Sequence, residues 1–299
     1  MLTGPSFDDR DGFIWHDGKL TPWRDAKIHV LTHALHYASC VFEGERVYAG
    51  KIFKLREHTD RLINSGRILG FEIPWSADEI DAACYDVIRA QDISEGYVRP
   101  VAWRGPEMMG VAAQATKIHM AIATWVWPSY FSPDARFKGI RMMMSEWARP
   151  APNTAPTAAK ASGLYMICTL AKHTAEARGY DDALMLDWRG QVAEATGANI
   201  FLVIKGDIHT PTPDCFLDGI TRKTVMDLAR KRQLKIVERA IWPEELAQAE
   251  EVFITGTAAE VTPVAEIGKY RFTPGKVCQA LIEDFDRLVG RVPAAQSAA

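Results

Sequence analysis

Strands and helices mixed without strict strand–helix–strand alternation predict an α+β fold in two domains. Three observations carry that prediction. The chain has 299 residues, and at roughly 150 residues per domain that length predicts two domains with ample chain for a core. Its residues are 47% hydrophobic and 24% charged, a globular balance that excludes collagen-like, low-complexity and disordered classes. A stretch holding Pro128, Ser129, Ser132, Pro133 and Asp134 separates the patterned segments into two halves. The expected organisation is a small N-terminal domain over 1–127, a linker over 128–137, a large domain over 138–292 and a disordered tail over 293–299.

The elements follow in order. Phe13 to Trp15 and the apolar positions beyond Asp17-Gly18 predict a hairpin. Val41 to Tyr48 reads as a strand, and Ala49-Gly50-Lys51 turns the chain into Ile52 to Leu55. Residues 56–69 are helical. Ser76, followed three residues on by Glu79, forms a capping box that opens a second helix, with Ile80, Ala83, Cys84, Val87 and Ile88 at helical spacing. Strands over 96–104 and 117–127 close the first half. The second half begins with a strand over 140–145, then a Pro-rich loop and a helix over about 163–178. Strands at 184–187, 191–196 and 199–204 are joined by turns at Arg189-Gly190 and Lys205-Gly206-Asp207. Residues 221–232 and 274–289 are amphipathic helices.

Charge and cysteine usage narrow the class. Lys and Arg total 35 against 38 Asp and Glu, a net charge of −3 without long runs of one sign, which disfavours nucleic-acid binding through phosphate neutralisation. The N-terminus lacks the basic and apolar regions of a secretory signal, and no apolar run approaches the ~18 residues of a membrane span. The five cysteines are scattered, without a C-x-x-C pair, so neither a disulfide framework nor a metal site is expected. A small-molecule protein of the reducing cytoplasm fits.

Lys160 is the first chemical candidate, the one charge in Pro156-Thr157-Ala158-Ala159-Lys160-Ala161-Ser162-Gly163. Apolar surroundings and a nearby helix N-terminus both disfavour its ammonium form, and a neutral amine can attack a carbonyl. A partly buried structural lysine fits the same pattern. Glu194 lies in the apolar strand Val192-Ala193-Glu194-Ala195, where a carboxylate requires compensation, from a protonated ring nitrogen or from a nearby arginine. Leu217-Asp218-Gly219-Ile220-Thr221-Arg222 and Ile254-Thr255-Gly256-Thr257-Ala258-Ala259-Glu260 each offer free backbone N–H groups and a Thr hydroxyl, the ingredients of an anion cradle or of an ordinary cap. Along 41–48, strand alternation places Phe42, Gly44 and Arg46 on one face and Glu43 and Glu45 on the other, with room for a ligand over Gly44.

The ordered string of Glu194, Asn199-Ile200-Phe201, Ile208-His209-Thr210 and Leu217 to Arg222 resembles the signature of the fold-type IV pyridoxal-phosphate enzymes, the class-IV aminotransferases. The likeness runs from His33-Ala34-Leu35-His36-Tyr37 to Glu260-Val261-Thr262-Pro263-Val264. Within that superfamily Val41-Phe42-Glu43-Gly44, Leu55-Arg56-Glu57-His58, Tyr97-Val98-Arg99-Pro100, Asn153-Thr154-Ala155-Pro156 and Gly256-Thr257-Ala258-Ala259-Glu260 are most similar to branched-chain amino acid aminotransferases.

The resemblance implies a smaller N-terminal domain, a larger C-terminal domain with a barrel-like sheet, and pyridoxal 5'-phosphate as cofactor. It implies that Lys160 carries the cofactor and moves the proton at Cα, that Glu194 meets the pyridine nitrogen, and that Tyr165 meets the 3′ oxygen. Arg56, Ile220, Thr221, Gly256 and Thr257 match the phosphate binders. Tyr37, Phe42, Val111 and Tyr130 match an aliphatic pocket, Tyr97 with Thr257 and Ala258 the α-carboxylate site, and Arg99 the receiver of a distal carboxylate. The activity implied is ping-pong transfer of the amino group of L-leucine, L-isoleucine or L-valine to 2-oxoglutarate. The unit implied is a homodimer or higher homo-oligomer, with small-domain residues completing the partner's site. D-amino acid or (R)-amine transaminases and aminodeoxychorismate lyases share the fold, and a vitamin B6 carrier is the reading outside catalysis. Three departures stand out: Glu45 where an aliphatic residue is usual, Leu164 where Asn is common before Tyr165, and Met108-Met109-Gly110-Val111, which matches the family loop only approximately.

Overall fold

A computed structural model describes residues 6–127, 131 and 134–291. The chain forms two compact units, one of residues 1–128 with 159–163, the other of residues 129–158 with 164–299. The expected disordered tail, 293–299, lies outside the described residues, as does Tyr130.

The first unit contains β1 (Phe13–His16), β2 (Lys19–Pro22), α1 (His33–Tyr37), β3 (Cys40–Phe42), β4 (Glu45–Tyr48), β5 (Lys51–Ile52), α2 (Leu55–Ile68), α3 (Ala77–Ala90), β6 (Gly96–Arg104) and β7 (Ile118–Trp125). Among the described residues these strands form one sheet in the order β2-β1-β7-β6-β4-β5, with β3 also on β6. The apolar faces of α2 and α3 cover it: Leu62, Ile80 and Val87 share a core with Val98, Met120 and Ile122. The capping box forms, Glu79 N donating to Ser76 Oγ at 3.3 Å and Ser76 N to Glu79 Oε2 at 2.8 Å.

The single strand expected over 41–48 is two. Glu43 N still donates to Pro100 O at 2.8 Å, but Pro100 has no N–H to return, so the ladder on β6 is interrupted and resumes at Glu45 opposite Val98. The edge of β3 is completed from far along the chain. Ala161 bridges Val41, and Phe42 N donates to Lys160 O at 3.1 Å. The Lys160 segment, expected inside the large domain, therefore folds with the first unit.

The second unit contains α4 (Ala135–Lys138), β8 (Ile140–Met144), α5 (Met166–Ala177), β9 (Asp182–Leu186), β10 (Val192–Ala195), β11 (Asn199–Ile204), β12 (Asp207–Thr210), α6 (Ile220–Lys231), β13 (Ile236–Glu238), β14 (Glu251–Gly256), β15 (Glu260–Ile267), β16 (Tyr270–Arg271) and α7 (Lys276–Leu288). Its sheet runs β10-β9-β8-β15-β14-β11 and closes because β11 pairs back onto β10. This is the barrel-like sheet. Inward-facing Ile140, Met142, Leu184, Ile200, Leu202, Ile254 and Val264 fill it. Residues 135–137, expected as linker, lie in α4, whose Ala135 packs into this core.

Candidate active site

In the first unit Lys160 is placed by backbone bonds at both of its peptide groups: its N–H donates to Ser65 Oγ at 3.0 Å and its C=O accepts from Phe42. Its Nζ stands 4.9 Å from the centre of the Phe42 ring, and the Arg99 guanidinium lies 4.8 Å from that centre. Burial comes first in lowering the ammonium's stability, and the nearby Arg61 and Arg99 cations add to it against the opposing pull of Glu43 and Tyr97. Together they bring the pKa of Lys160 down to about 8. A lysine poised there is accessible as a neutral base near physiological pH, as general acid–base work requires.

The residue behind it is Glu43, which is fully buried. Arg61 donates to it through both Nε, at 2.6 Å to Oε1, and a terminal nitrogen, at 2.9 Å to Oε2, while His58 Nδ1 lies 2.7 Å from Oε2. A carboxylate only accepts, so the His58 proton sits on Nδ1. Burial works against the Glu43 charge, but Arg61 and His58 outweigh it and hold its carboxyl well below the usual range.

Arg56, matched to the phosphate binders by resemblance, stands outside this network. Arg56 is exposed and is paired with Asp78 and, at 2.8 Å, with Asp81. Arg61 is the cation on this helix that acts on Lys160. The two arginines are roughly 140° apart around α2. Arg61 lies beside the buried His58 and Ser65, and Arg56 faces out. Sequence reasoning missed Arg61, Glu43 and His58. The available signal was helical phase: Arg61 stands at i+3 from His58 and i−4 from Ser65, on the flank of the apolar face.

Gly44 also changes role. A Cβ at this position would collide with the Tyr97 hydroxyl, so the space over Gly44 seats Tyr97 rather than a ligand. Tyr97 is nearly buried and packs on Trp125 and Trp127 at 5.4 and 4.6 Å. Arg46 is buried opposite Tyr97 in the β4–β6 register. Tyr37 and Val111 are 44% and 89% exposed. They are linked through His33, which stacks on Tyr37 at 4.5 Å and bonds Gly110 O through Nε2 at 2.9 Å.

Glu45 turns from Phe42 into the core. It is fully buried, and the one donor facing its carboxyl is the weak Cys84 thiol. Burial, then the charges of Glu43 and Asp81, push its carboxyl well above the ordinary 4.5. Glu45→Leu is therefore expected to stabilise the protein by ~1–3 kcal/mol, since an apolar side chain there leaves no unmet acceptor. The sign with pH is fixed. A raised native pKa costs stability as pH climbs above 4.5, because the unfolded chain releases a proton that the folded one keeps. The gain of the Leu variant thus grows with pH in urea denaturation; a lower midpoint at neutral pH would contradict the account.

In the second unit Glu194 is buried on β10. Its Oε1 lies 3.4 Å from Arg149 Nε, and its Oε2 accepts from Asn199 Nδ2 at 3.4 Å. Asn199 also donates to Leu217 O at 2.9 Å, and its Oδ1 fills the space where a Cβ of residue 219 would stand, which requires Gly219. The carboxyl is thereby tied to the loop that opens α6. Gly219 caps that helix without a side-chain hydrogen bond, leaving the N–H groups of Ile220 and Thr221 for an anion. Arg222, fully buried, holds the loop by bonds to Asp218, Pro211 O and Glu238 at 2.8, 3.1 and 2.8 Å. Gly256 ends β14 and packs against Gly197 and Ala198, and Thr257 and Ala258 follow in the turn to β15. Tyr165 sits at the start of α5. Asp187, Asp214 and Cys215 converge within 4.8 Å of one another, but Arg189 already bridges both carboxylates, at 2.6 and 2.8 Å.

Each unit, taken by itself, carries groups suited to a part of pyridoxal 5'-phosphate. An uncapped helix start suits its phosphate, a buried carboxyl its ring nitrogen, and a lysine with a lowered pKa its aldehyde. The buried Nε of Arg149, beside Glu194, has no hydrogen-bond partner of its own.

The comparisons with known proteins agree. The amino-transferase class IV family model matches residues 40–267. The chain is 44% identical over 275 residues to the branched-chain-amino-acid aminotransferase of Pseudomonas aeruginosa, covering 91% of this chain and 90% of that one. The fold matches the crystal structure of the Escherichia coli branched-chain amino acid aminotransferase with a TM-score of 0.91 at 37% identity, over 96% of this chain and 98% of that one. It also matches the branched-chain amino acid aminotransferase of Thermobaculum terrenum, solved in its pyridoxal-phosphate form, with a TM-score of 0.86 at 31% identity, over 94% of each chain. The chain belongs to the class IV aminotransferases, fold-type IV enzymes that use pyridoxal 5'-phosphate. Within that class it is most like the branched-chain amino acid aminotransferases.

Proposed function

We propose that this chain moves the α-amino group of L-leucine, L-isoleucine or L-valine to 2-oxoglutarate in two half-reactions, forming the 2-oxo acid and then glutamate. The observation that carries the reading is Lys160, with its pKa near 8, beside one apolar and one cationic partner, Phe42 and Arg99. An aliphatic side chain and a distal carboxylate call for those two kinds of neighbour. When bound, the cofactor supplies an aldehyde that takes up the amino group and a ring that accepts the electron pair released at Cα. Lys160 carries the cofactor and moves the proton at Cα. Glu194 and Tyr165 hold the ring's polar atoms. Arg61 with Ile220, Thr221, Gly256 and Thr257 holds the phosphate, Arg61 taking the place first given to Arg56. Tyr97, Thr257 and Ala258 receive the α-carboxylate. Phe42, Tyr37, Val111 and Arg46 line the side-chain pocket.

A homodimer is part of this reading. Val30, Leu35, Tyr37 and Val111 are exposed apolar residues of the first unit, and a second copy would cover them. Light scattering on the purified chain tests this; a monomer at assay concentration would overturn it. Action in the cytoplasm belongs to the same reading, and among the described residues no helix is long and apolar enough to cross a membrane.

Arg99 tests the acceptor. Its buried Nε lacks a hydrogen-bond partner, so a carboxylate would gain a charge-assisted bond there. Arg99→Ala is expected to weaken 2-oxoglutarate use by about 10- to 150-fold in kcat/KM, the equivalent of ~1.5–3 kcal/mol, and an aliphatic 2-oxo acid much less. Equal losses for both substrates would remove Arg99 from that role.

A further inference from the structure

Arg149 is a buried cation at the one carboxyl that the proposed chemistry places against the cofactor ring. It is 4% exposed and its backbone is fixed, its N–H donating to Leu186 O at 2.8 Å and its segment bridging Asp187. One terminal nitrogen donates to Leu164 O and to Cys168 Sγ, each at 3.3 Å. Its Nε faces Glu194 Oε1 at 3.4 Å without the alignment of a hydrogen bond. A pair whose purpose is stability is commonly a fork-to-fork contact at about 2.7–2.9 Å that saturates the carboxylate. The looser contact here places a positive charge beside Glu194 without the geometry of a saturating fork.

We propose that Arg149 is a positioning residue that keeps Glu194 ionised and directed, so that the proton shared between Glu194 and the cofactor's ring nitrogen stays on the nitrogen. This rests on the reading that Glu194 meets that nitrogen. The physical reason is local. The proton has two homes, a neutral carboxylic acid beside a neutral ring or a carboxylate beside a protonated ring. A guanidinium in contact with the carboxylate favours the second, the more so at low dielectric. Only the protonated ring draws electrons from Cα strongly. Tyr165 and Cys168 from the α5 side, and Cys215 from the loop after β12, are the other titratable groups that feel this guanidinium. Arg149 stays charged beside them, its pKa raised by Glu194 in spite of burial. Asn199 meets the other oxygen of Glu194, so the two side chains fix the carboxyl from both sides.

The test uses holoenzyme reconstituted with pyridoxal 5'-phosphate carrying a heavy ring nitrogen, whose NMR shift reads protonation directly, in wild type, Glu194→Gln, Arg149→Gln and Arg149→Lys. The expected wild-type shift is that of a protonated ring. Glu194→Gln and Arg149→Gln move it toward the neutral value, with a loss of turnover of at least about tenfold, and Arg149→Lys, which keeps the charge, returns it toward wild type. If Glu194→Gln moves the shift and Arg149→Gln does not, the proposal is overturned while the role of Glu194 stands. If Glu194→Gln itself leaves the shift unmoved, the underlying reading fails and the proposal falls with it. Should Arg149→Gln fail to fold, Arg149→Lys still decides: a shift at the neutral value in a folded, charged variant contradicts the proposal.

Discussion

Lys160→Ala is expected to abolish transamination, with a loss well beyond the ~10²–10⁴-fold that proton transfer alone contributes, because the residue that carries the cofactor is removed as well. The fold should survive. The contacts that place the segment are made by its backbone, from Lys160 N to Ser65 Oγ and from Phe42 N to Lys160 O, and alanine keeps both. Glu43, the nearby carboxylate, retains Arg61 and His58 when the Lys160 cation is removed. Circular dichroism and a urea midpoint near wild type, together with undetectable glutamate formation, are the predicted results. Turnover within about tenfold of wild type would remove Lys160 from the chemistry.

Arg61→Gln and Arg56→Gln are expected to part sharply. Arg61 grips a fully buried Glu43 with two bonds, and stripping one partner from a buried ion pair costs ~3–5 kcal/mol. The same substitution should weaken the cofactor by about 10- to 150-fold if Arg61 also meets the phosphate, a charge-assisted bond being worth ~1.5–3 kcal/mol. Arg56, exposed and paired with surface acids, should change stability by less than ~1 kcal/mol and leave cofactor affinity alone. Fluorescence titration of the cofactor-free variants with pyridoxal 5'-phosphate separates the two. A larger loss of affinity in Arg56→Gln would restore the first assignment.

That pair of arginines shows where the sequence was readable. The motif Leu55-Arg56-Glu57-His58 marks the right helix, and capping and periodicity place α2 and α3 within a residue or two. The choice of arginine depended on which flank of α2 meets β3, and that is set by tertiary packing. Lys160 stood out because its neighbours are small, yet nothing local announces that it completes the edge of β3, since that pairing spans more than a hundred residues. Glu194 drew attention as an acid in an apolar strand. The same criterion applied to Glu43 and Glu45 would have flagged two more buried acids, one satisfied by Arg61 and His58 and one facing only the weak donor of Cys84. Gly44 misled because an absent side chain signals close approach without saying what approaches, here Tyr97. Closure of the barrel through β10 and β11 rests on a single short pairing, from Glu194 to Asn199, and those are the residues that then share the carboxyl contact.

The measurement that bears most directly on the function is a half-reaction. Holoenzyme is mixed with L-leucine in the absence of any 2-oxo acid, and both the cofactor spectrum and the products are followed. The predicted result is conversion of the cofactor to pyridoxamine 5'-phosphate with a stoichiometric yield of 4-methyl-2-oxopentanoate, reversed on adding 2-oxoglutarate, and no conversion with D-leucine. A cofactor that L-leucine leaves unchanged, while a D-amino acid or an amine converts it, would contradict the account.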